Sequence, residues 1–404
     1  MARQDLVICG FEQGLLATGG TVPAEFDNVF GQCKATTAQK RTGSYSLWLD
    51  YETAGGNAQG DLYFTGRTST TKKHKRVKFW LRLEDPGSGY GDYCWLWQWG
   101  VSTVGLRAQY AGGTAATISL WVGATNYGVA FFPSFPWEGL VELYWLDDAS
   151  PKAKVYLGGS LVIDRTDAAF NIGATETYIH FGMSLTKGLT ERLRPYMDDF
   201  WVMAGDAESD TIPDPLPKIV AALPNAEGDT LLFTTHGSSY HYQNVDDAAS
   251  ASKDDTDYNE SGTGTDEVED LYDFQSCASL GIPSYGDIKA VQASCIAKVT
   301  AGSNGQPSVV VLDSPYEYTT NVTPSSDYSD GAYVRLDTTQ PYGGADWTQP
   351  RLDAFQAGMR RGSGASAMRN LRLTSIMLMI AYQELPPHPQ VSIPPRSPAQ
   401  VVGY

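Results

Sequence analysis

The fold is decided by a short stretch in which apolar and polar residues alternate, Val77-Lys78-Phe79-Trp80-Leu81-Arg82-Leu83-Glu84. Successive side chains of an extended strand point to opposite faces, so every second residue of this stretch presents an apolar side chain to the same face. The alternation returns over residues 141–146, and Gly158-Gly159 separates two further apolar runs, which is a strong hairpin signal. Repeated strands with glycine turns predict a sandwich of two antiparallel sheets.

Length and composition limit the classes of protein to which the chain can belong. The chain has 404 residues, which at about 150 residues per domain suggests two or three domains. Its hydrophobic content of 42% is ample for packed cores, and its 41 Gly and 22 Pro fit many short strands joined by turns. The net charge of −17 argues against nucleic-acid binding, because that affinity comes mostly from Lys and Arg side chains that meet phosphates. We therefore expect a mainly β protein with no nucleic-acid partner.

The cysteines and the apolar runs indicate where the chain is made. Its five cysteines are an odd number and are scattered without a CxxC spacing, which predicts reduced thiols rather than a disulfide framework. No signal peptide is evident at the N-terminus, and the longest apolar run, residues 376–381, is far shorter than the ~20 residues that span a bilayer. We expect synthesis in a reducing cytoplasm and no membrane insertion.

The composition changes near residue 205, which predicts a domain boundary. Nine of the ten tryptophans lie at or before Trp201, and residues 206–218 are polar and Pro-rich, as expected of a linker. We expect a β-sandwich domain over residues 1–205 and a second β-rich sandwich domain over residues 219–384. The strands predicted in the second domain cover residues 287–300, 307–312, 331–336 and 371–382.

One short helix is predicted in the second domain. Thr348 can cap this helix, and Pro350 is tolerated in its first turn. Leu352, Phe355 and Met359 fall at helical spacing, so the helix is expected to continue toward Met359.

The last twenty residues, 385–404, are predicted to form an extended arm. Six prolines in this segment exclude helix and central strand and favour a polyproline-like conformation. Such an arm suits docking into a neighbouring subunit, although it can equally lie back on its own domain. The residues predicted to dock are Pro386, Pro387, Pro394, Pro395 and Tyr404.

Phrases in the first domain resemble a known superfamily. They are Gly10-Phe11-Glu12-Gln13-Gly14 and the runs at 41–49, 139–145 and 196–202. In this order they resemble the concanavalin A-like lectin/glucanase superfamily in its laminin-G-like form, over about residues 4–205. The resemblance implies a jelly-roll β-sandwich that contacts glycans through loops and aromatic side chains. It also permits a calcium ion at the rim, held by Asp198 and Asp199, and no other cofactor is expected.

Phrases in the second domain are similar to the C-terminal β-rich domains of tailed-bacteriophage virion proteins. They lie at 240–247, 254–258, 287–292 and 341–348. This similarity implies a structural component of the virion, either associated with the tail or exposed on the head as a decoration or fibre protein, and made in the host bacterial cytoplasm. The partners it implies are other virion proteins, copies of the chain itself and a host or environmental glycan.

Two aromatic groups are candidates for a glycan-binding surface. Residues 93–99 place three tryptophans on one strand face, and we favour the inter-sheet core for them. The second group lies around Pro133 and Pro136, in a predicted loop that can form a contact surface. The residues predicted to bind carbohydrate are Trp121, Phe132, Phe135 and Trp137.

A carboxylate pair is the one sign of catalysis in the sequence. Glu25 and Asp27 alternate onto one strand face, as the nucleophile and the acid/base of a glucanase must. The third acid of such a motif is missing, because Phe30 stands in its place, so we expect two solvated acids. The sequence therefore predicts a protein that is not an enzyme; the alternative is a glycan depolymerase on the lectin/glucanase fold.

The acidic segment over residues 246–273 is predicted to be a solvated loop. It carries eleven acidic residues but no twelve-residue calcium loop of the EF-hand type, which disfavours a metal site there. His236 and His241 flank Ser238-Ser239, but this spacing gives no geometry for a nucleophile.

Overall fold

The computed structural model describes residues 4–11, 28–31, 33–49, 58–63, 72–84, 93–99, 104–112, 115–171, 178–183, 194–246, 256–262, 267–300, 307–321, 332–362 and 370–384. Most of these residues lie in the antiparallel strands of four sheets, which we number I to IV. The prediction of a mainly β fold with one short helix is confirmed.

Sheets I and II form the first sandwich, and the side chains between them form one continuous apolar core. Sheet I has the order β13-β12-β11-β6-β15-β4-β3, with β1 also paired to β15, and sheet II has the order β10-β9-β8-β7-β14-β5-β2. The strands of sheet I are β1 (Gln4–Cys9), β3 (Cys33–Thr36), β4 (Ser46–Leu49), β6 (His74–Glu84), β11 (Trp137–Leu146), β12 (Lys152–Leu157), β13 (Ser160–Thr166) and β15 (Arg194–Gly205). Those of sheet II are β2 (Asn28–Gly31), β5 (Ala58–Tyr63), β7 (Tyr93–Trp99), β8 (Val104–Gly112), β9 (Ala115–Val122), β10 (Thr125–Phe131) and β14 (Tyr178–Met183).

The alternation in β6 behaves as predicted on the core side. Val77 and Phe79 are fully buried between the sheets, and β6 lies in the middle of sheet I between β11 and β15. Gly158 and Gly159 adopt φ of +55° and +81° and join β12 to β13, which confirms the hairpin. The opposite face of β6 is buried as well, which alternation alone does not predict.

Sheets III and IV form the second sandwich around a separate apolar core. Sheet III has the order β18-β19-β26-β21-β24, with β16 also paired to β26, and sheet IV has the order β17-β20-β25-β22-β23. The strands of sheet III are β16 (Lys218–Ala222), β18 (Thr234–His236), β19 (Tyr258–Glu260), β21 (Gly286–Val299), β24 (Ala332–Asp337) and β26 (Leu371–Glu384). Those of sheet IV are β17 (Pro224–Leu231), β20 (Val268–Phe274), β22 (Pro307–Asp313), β23 (Tyr316–Asn321) and β25 (Gln356–Arg361).

The helices of the described chain are short. Two 3-10 turns cover Ala168–Phe170 and Tyr242–Asn244, and one α-helix, α1, covers Gln349–Asp353. Helix α1 begins after Thr348 as predicted, but it ends six residues before Met359 because β25 begins at Gln356 and joins sheet IV. No helix in the described ranges has the length and apolar character that crossing a membrane requires.

The two sandwiches stack so that the sheets follow the order II, I, III, IV. Apolar side chains from the outer faces of sheets I and III meet in a third cluster, which the predicted linker also joins. The linker segment 206–218 lies against sheet I, where Arg76 Nε donates to Asp210 O at 2.9 Å and Lys78 Nζ contacts Asp214 Oδ1 at 2.8 Å. The members of the third cluster are Ile8, Trp201, Met203, Ile212, Leu216, Ile219, Ala290, Met377, Met379 and Ala381.

Candidate functional site

A β-bulge in β7 turns one tryptophan away from the core. The register of β7 against β8 shifts between Trp95 and Trp97, so the two residues point to opposite faces. Trp97 and Trp99 stay between the sheets, where both pack against Trp145. Trp95 instead pairs with Arg107 of β8 and shares the outer face of sheet II. The expectation that all three tryptophans share one face is therefore wrong for Trp95.

The outer face of sheet II carries a compact group that we call the Trp–Arg platform: Trp95, Arg107, Gln109, Ser119 and Trp121. The ring centroids of Trp95 and Trp121 lie 5.8 Å apart at 69°, and the guanidinium of Arg107 lies 3.9 Å from the centroid of Trp121. Arg107 Nη2 donates to Gln109 Oε1 at 3.5 Å, and Trp121 Nε1 donates to Ser119 Oγ at 2.8 Å. The indole N–H of Trp95 is buried and has no hydrogen-bond acceptor within the described part of the chain.

Strand β10 extends this face to the edge of sheet II. Val129 and Phe131 pair with Ser119 and Thr117 of β9, which places them on the same face as the platform. Phe131 is 65% exposed, a high value for a phenyl ring on a strand. A partly exposed ring beside a guanidinium, as Trp121 is beside Arg107, suits sugars, because a ring face covers the C–H face of a sugar while the charged group binds its oxygens.

A polar pair continues the same face on the other side of β7. His180 of β14 lies opposite Gln98 of β7. Gln98 lies opposite Gly105 of β8, where a Cβ would come within 2.7 Å of Gln98 Cγ. Glycine at this position therefore makes room for the Gln98 side chain across β8, and Gly105 is itself paired with Trp121. Both residues are 7% exposed; the imidazole can accept or donate a proton, and the carboxamide can form hydrogen bonds that orient a partner.

The residues predicted to bind carbohydrate divide between two places. Trp121 lies on the platform, partly exposed. Phe132, Phe135 and Trp137 are at most 9% exposed and belong to the core of the first sandwich, which contradicts their prediction as a contact surface. Their loop folds inward, so that Phe132 packs on Trp137. The sequence marks Trp95 as one of three tryptophans and favours the core for it, because the bulge that turns it to the outer face has no residue signature, and no sequence signal marks Arg107.

Asp198 and Asp199 lie at the junction of the two sandwiches, not at a rim. Asp198 Oδ2 accepts the backbone N–H groups of Arg41 and Thr42 at 2.8 and 3.0 Å. Asp199 Oδ2 binds Arg41 Nη1 at 2.7 Å, and its Oδ1 accepts from Thr42 Oγ1 at 2.6 Å and from Ile219 N at 2.7 Å. Complete burial raises the pKa of Asp199, and the Arg41 charge opposes this shift.

These contacts correct the predicted calcium site at Asp198 and Asp199. The carboxylate oxygens are taken by protein donors, so the pair joins the domains instead of facing solvent. Within the described ranges no group of three or more His, Cys, Asp or Glu side chains has the arrangement of a metal site.

Two sets of predicted residues lie outside the described residues. The carboxylate pair Glu25 and Asp27 is one, and the whole C-terminal arm is the other. The docking prediction for Pro386, Pro387, Pro394, Pro395 and Tyr404 stays a prediction.

A second polar cluster surrounds Asp270 of β20. Asp270 Oδ1 accepts the N–H groups of Leu232 and Phe233, each at 2.8 Å, and its Oδ2 contacts His241 Nδ1 at 2.7 Å and accepts from the Tyr272 hydroxyl at 3.1 Å. Burial raises the pKa of Asp270, while the contact with His241 opposes the shift. These bonds hold residues 232–241 against sheet IV. The prediction of a solvated loop over 246–273 is therefore wrong for the residues of β19 and β20, which lie within it.

Comparison with known proteins yields structural neighbours only. No protein-family model matches the chain, and no curated protein matches it. A carbohydrate esterase from the Shiga toxin-encoding bacteriophage phi24B is 12% identical, covers 45% of this chain and 90% of its own, and has a TM-score of 0.34. An alginate lyase, Aly36B, solved with an alginate trisaccharide, is 10% identical over 50% of this chain and 97% of its own (TM-score 0.34). An endo-β-1,4-glucuronan lyase from Trichoderma reesei is 14% identical over 52% and 98% (TM-score 0.32).

These neighbours have concanavalin A-like and other β-sandwich folds that bind or process carbohydrates. The prediction that the chain is not an enzyme is wrong by this comparison, because the esterase and both lyases are enzymes. At TM-scores below 0.5 the similarity assigns no particular reaction to this chain.

Proposed function

We propose that the protein binds a glycan on the outer face of sheet II, with the Trp–Arg platform as its binding surface. The observation that carries this proposal is the orientation of Trp95, which the bulge in β7 turns toward Trp121 and Arg107. Its indole N–H is buried without an acceptor within the described ranges, and such a donor costs about 1–3 kcal/mol.

The charge of the platform favours an acidic glycan. Arg107 is held in place by the Trp121 ring and by Gln109, so its guanidinium is ordered before a ligand arrives. Guanidinium groups bind carboxylates through paired N–H donors, whereas a neutral sugar offers only hydroxyls. A uronate-containing polysaccharide therefore fits the platform better than a neutral one.

Binding is tested with the full-length protein and two soluble polysaccharides, alginate and dextran, by isothermal titration calorimetry. We expect alginate to bind. Trp121→Ala should weaken this binding about tenfold or more, since it removes the ring that stacks on the sugar and that holds Arg107 in place. Tyr285→Ala is the control, because Tyr285 is an exposed aromatic residue of the second domain. Equal effects of the two substitutions, or no binding of either polymer, would contradict the proposal.

Cleavage of the bound glycan is the second function we propose, in place of a purely structural role. It is supported by the Gln98–His180 pair, which shares the face of the platform and offers a general acid or base there. We expect His180→Ala to abolish the release of reducing ends from the polysaccharide while its binding persists. His236→Ala, which changes a partly exposed histidine of sheet III, is the control. A thermal melt verifies that His180→Ala is folded; unchanged cleavage by a folded His180→Ala variant would remove His180 from the mechanism.

A place on a tailed-phage particle remains a further proposal. It is supported by the resemblance of residues 219–384 to virion proteins, and a glycan-processing face is compatible with a particle that must reach a host surface. Particles purified from a lysate should carry the chain at constant stoichiometry through a density gradient. Its loss into the soluble fraction would argue against this location.

A further inference from the structure

A cleft of about 680 Å³ lies where the two sandwiches meet. One wall is the segment 40–45, which connects β3 to β4 in the first sandwich. The opposite wall comes from β16 and from the turn that carries Gln275, Ser279 and Leu280, and Tyr382 of β26 completes the lining. A volume in this range and a position between domains are both typical of sites for small molecules.

Tyr382 supplies an unpaired donor to this cleft. Its side chain is packed in the second core and only 6% of the residue is exposed, yet it lines the cleft. Its hydroxyl makes no hydrogen bond to the described residues. Burial first, and then the carboxylates of Glu384 and Asp199, raise the pKa of Tyr382, which keeps the hydroxyl protonated and able to donate.

Three cations also line the cleft, although the chain as a whole is strongly acidic. Arg41 is fixed by Asp199 and by the carbonyls of Leu216 and Pro217. Lys40 is exposed on the 40–45 segment. Lys218 lies opposite, on β16, with its Nζ 2.6 Å from Glu384 Oε1.

The remaining polar groups of the lining suit hydroxyls. Gln275 Oε1 accepts from Leu223 N at 3.1 Å, which leaves its amide nitrogen to donate into the cleft. Ser279 donates its hydroxyl to Ser276 O at 2.7 Å and can still accept. Glu384, beside Lys218, would repel a densely charged anion. The lining thus matches a ligand with one negative charge and several hydroxyls.

We propose that this cleft binds a small acidic sugar, a uronic acid or a short oligosaccharide that contains one. Its carboxylate lies between Lys40 and Lys218, and its hydroxyls bond to Tyr382, Gln275 and Ser279. The cleft shares no residue with the Trp–Arg platform, so the two sites can be tested independently.

The test uses the full-length protein and D-glucuronate as the probe, followed by ligand-observed NMR, with D-glucose and inorganic phosphate as comparison ligands. We expect glucuronate to bind more tightly than either. Tyr382→Phe removes one hydroxyl without changing the packing of the ring, and should weaken binding about threefold to tenfold. Tyr240→Phe, at an exposed tyrosine outside the lining of the cleft, is the matched control.

A charge reversal gives a second readout. Lys40→Glu should weaken glucuronate binding and leave glucose binding unchanged, whereas Lys73→Glu, at another exposed lysine, should change neither. Absence of glucuronate binding at concentrations on the order of tens of millimolar overturns the proposal. Phosphate binding as tight as that of glucuronate overturns the sugar assignment, because the cleft would then recognise charge alone.

Trp121→Ala separates this site from the platform. We expect it to weaken polysaccharide binding and to leave glucuronate binding in the cleft intact. If Trp121→Ala abolishes glucuronate binding while Tyr382→Phe and Lys40→Glu have no effect, the sugar binds on the platform and the cleft proposal is overturned. If the polysaccharide fails to bind but glucuronate behaves as expected, only the platform proposal fails.

Discussion

The two outer faces of the first sandwich differ in what covers them. On sheet I, charged side chains such as Arg76 and Lys78 are buried beneath residues 206–218, and Ile8, Trp201 and Met203 are buried against sheet III. On sheet II, aromatic rings and Arg107 cluster together, and the edge residue Phe131 remains largely exposed. Both faces mix apolar and charged side chains, but one is a joint between domains and the other is a candidate binding surface.

The difference shows that polar residues on a strand face can either join two domains or form a binding surface. Their spacing in the sequence does not distinguish these two roles. On sheet I each buried charge has a specific partner, as Arg76 has in Glu142 and in the carbonyl of Asp210. On sheet II a buried donor, the indole N–H of Trp95, has none within the described ranges. Buried charges with partners in the linker and the second domain indicate a joint, whereas a guanidinium stacked on a partly exposed ring indicates a candidate site.

The largest effect is expected from breaking the joint at Asp199. Asp199→Ala leaves the guanidinium of Arg41 and the N–H of Ile219 without their acceptor, and should lower the free energy of unfolding by about 3–5 kcal/mol. Urea denaturation measures this loss. Asp164→Ala, at an exposed carboxylate of β13, is the control and should have almost no effect. Equal stability of the two variants would show that the joint does not depend on this carboxylate.

A smaller effect is expected from filling the space at Gly105. In Gly105→Ala the added Cβ meets Gln98 Cγ and the carbonyl of Trp97 at 2.7 Å, which should cost about 1–3 kcal/mol of stability. Displacement of Gln98 should also reduce glycan cleavage by more than it reduces glycan binding. Normal cleavage by this variant would place Gln98 outside the site.

The joint should also respond to acid through Glu208. Hydrogen bonds from Lys152 and then Lys154 lower the pKa of Glu208 from 4.5 to about 2. Because the folded-state value is the lower one, its contribution to stability is present above pH 4.5 and is lost as the pH falls toward 2. The carboxylate is partly exposed, so we expect less than about 1 kcal/mol.

The measurement compares the wild type with Glu208→Gln by urea denaturation at several pH values. The stability difference between them should shrink as the pH falls through this window. A difference that is constant with pH would mean that the two lysines do not stabilise the charged form of Glu208.

The smallest stability effect is expected on the outer face of sheet II. Phe131→Ala removes a mostly exposed ring, so the free energy of unfolding should change by no more than about 0.5 kcal/mol. Polysaccharide binding should nevertheless weaken, because the ring extends the platform to the sheet edge. A large loss of stability with unchanged polysaccharide binding would show that this face stabilises the fold and is not a binding surface.

Much of the fold follows from the sequence because its signals are local. The alternation of residues 77–84, the Gly158-Gly159 turn and the apolar run at 371–382 each specify a strand or a hairpin without knowledge of the rest of the chain. The predicted helix after Thr348 is too long, since Met359 faces the core from β25 and Phe355 faces it from the residues between α1 and β25. Spacing alone cannot decide between those conformations when the run is short.

The site was less predictable because it depends on long-range contacts. The sequence identifies Trp121 as a binding residue. Its partner Trp95 lies on the same face as Arg107 only because of a register shift, and no residue type predicts that shift. The resemblance to laminin-G-like domains permits a calcium site at Asp198 and Asp199, although two adjacent acids alone do not define one. Their actual partners, Arg41 and Ile219, come from distant parts of the chain and from both domains.

The four-layer order of the sheets limits how this protein can be taken apart. Sheets I and III each have one face in their own core and the other in the shared cluster, so neither sandwich is a self-contained module. A fragment that stopped near residue 205 would present Ile8, Trp201 and Met203 to water, and it would tend to self-associate. A protein that acquired only one of the sandwiches, in evolution or in the laboratory, would also need a surface that matches its outer face.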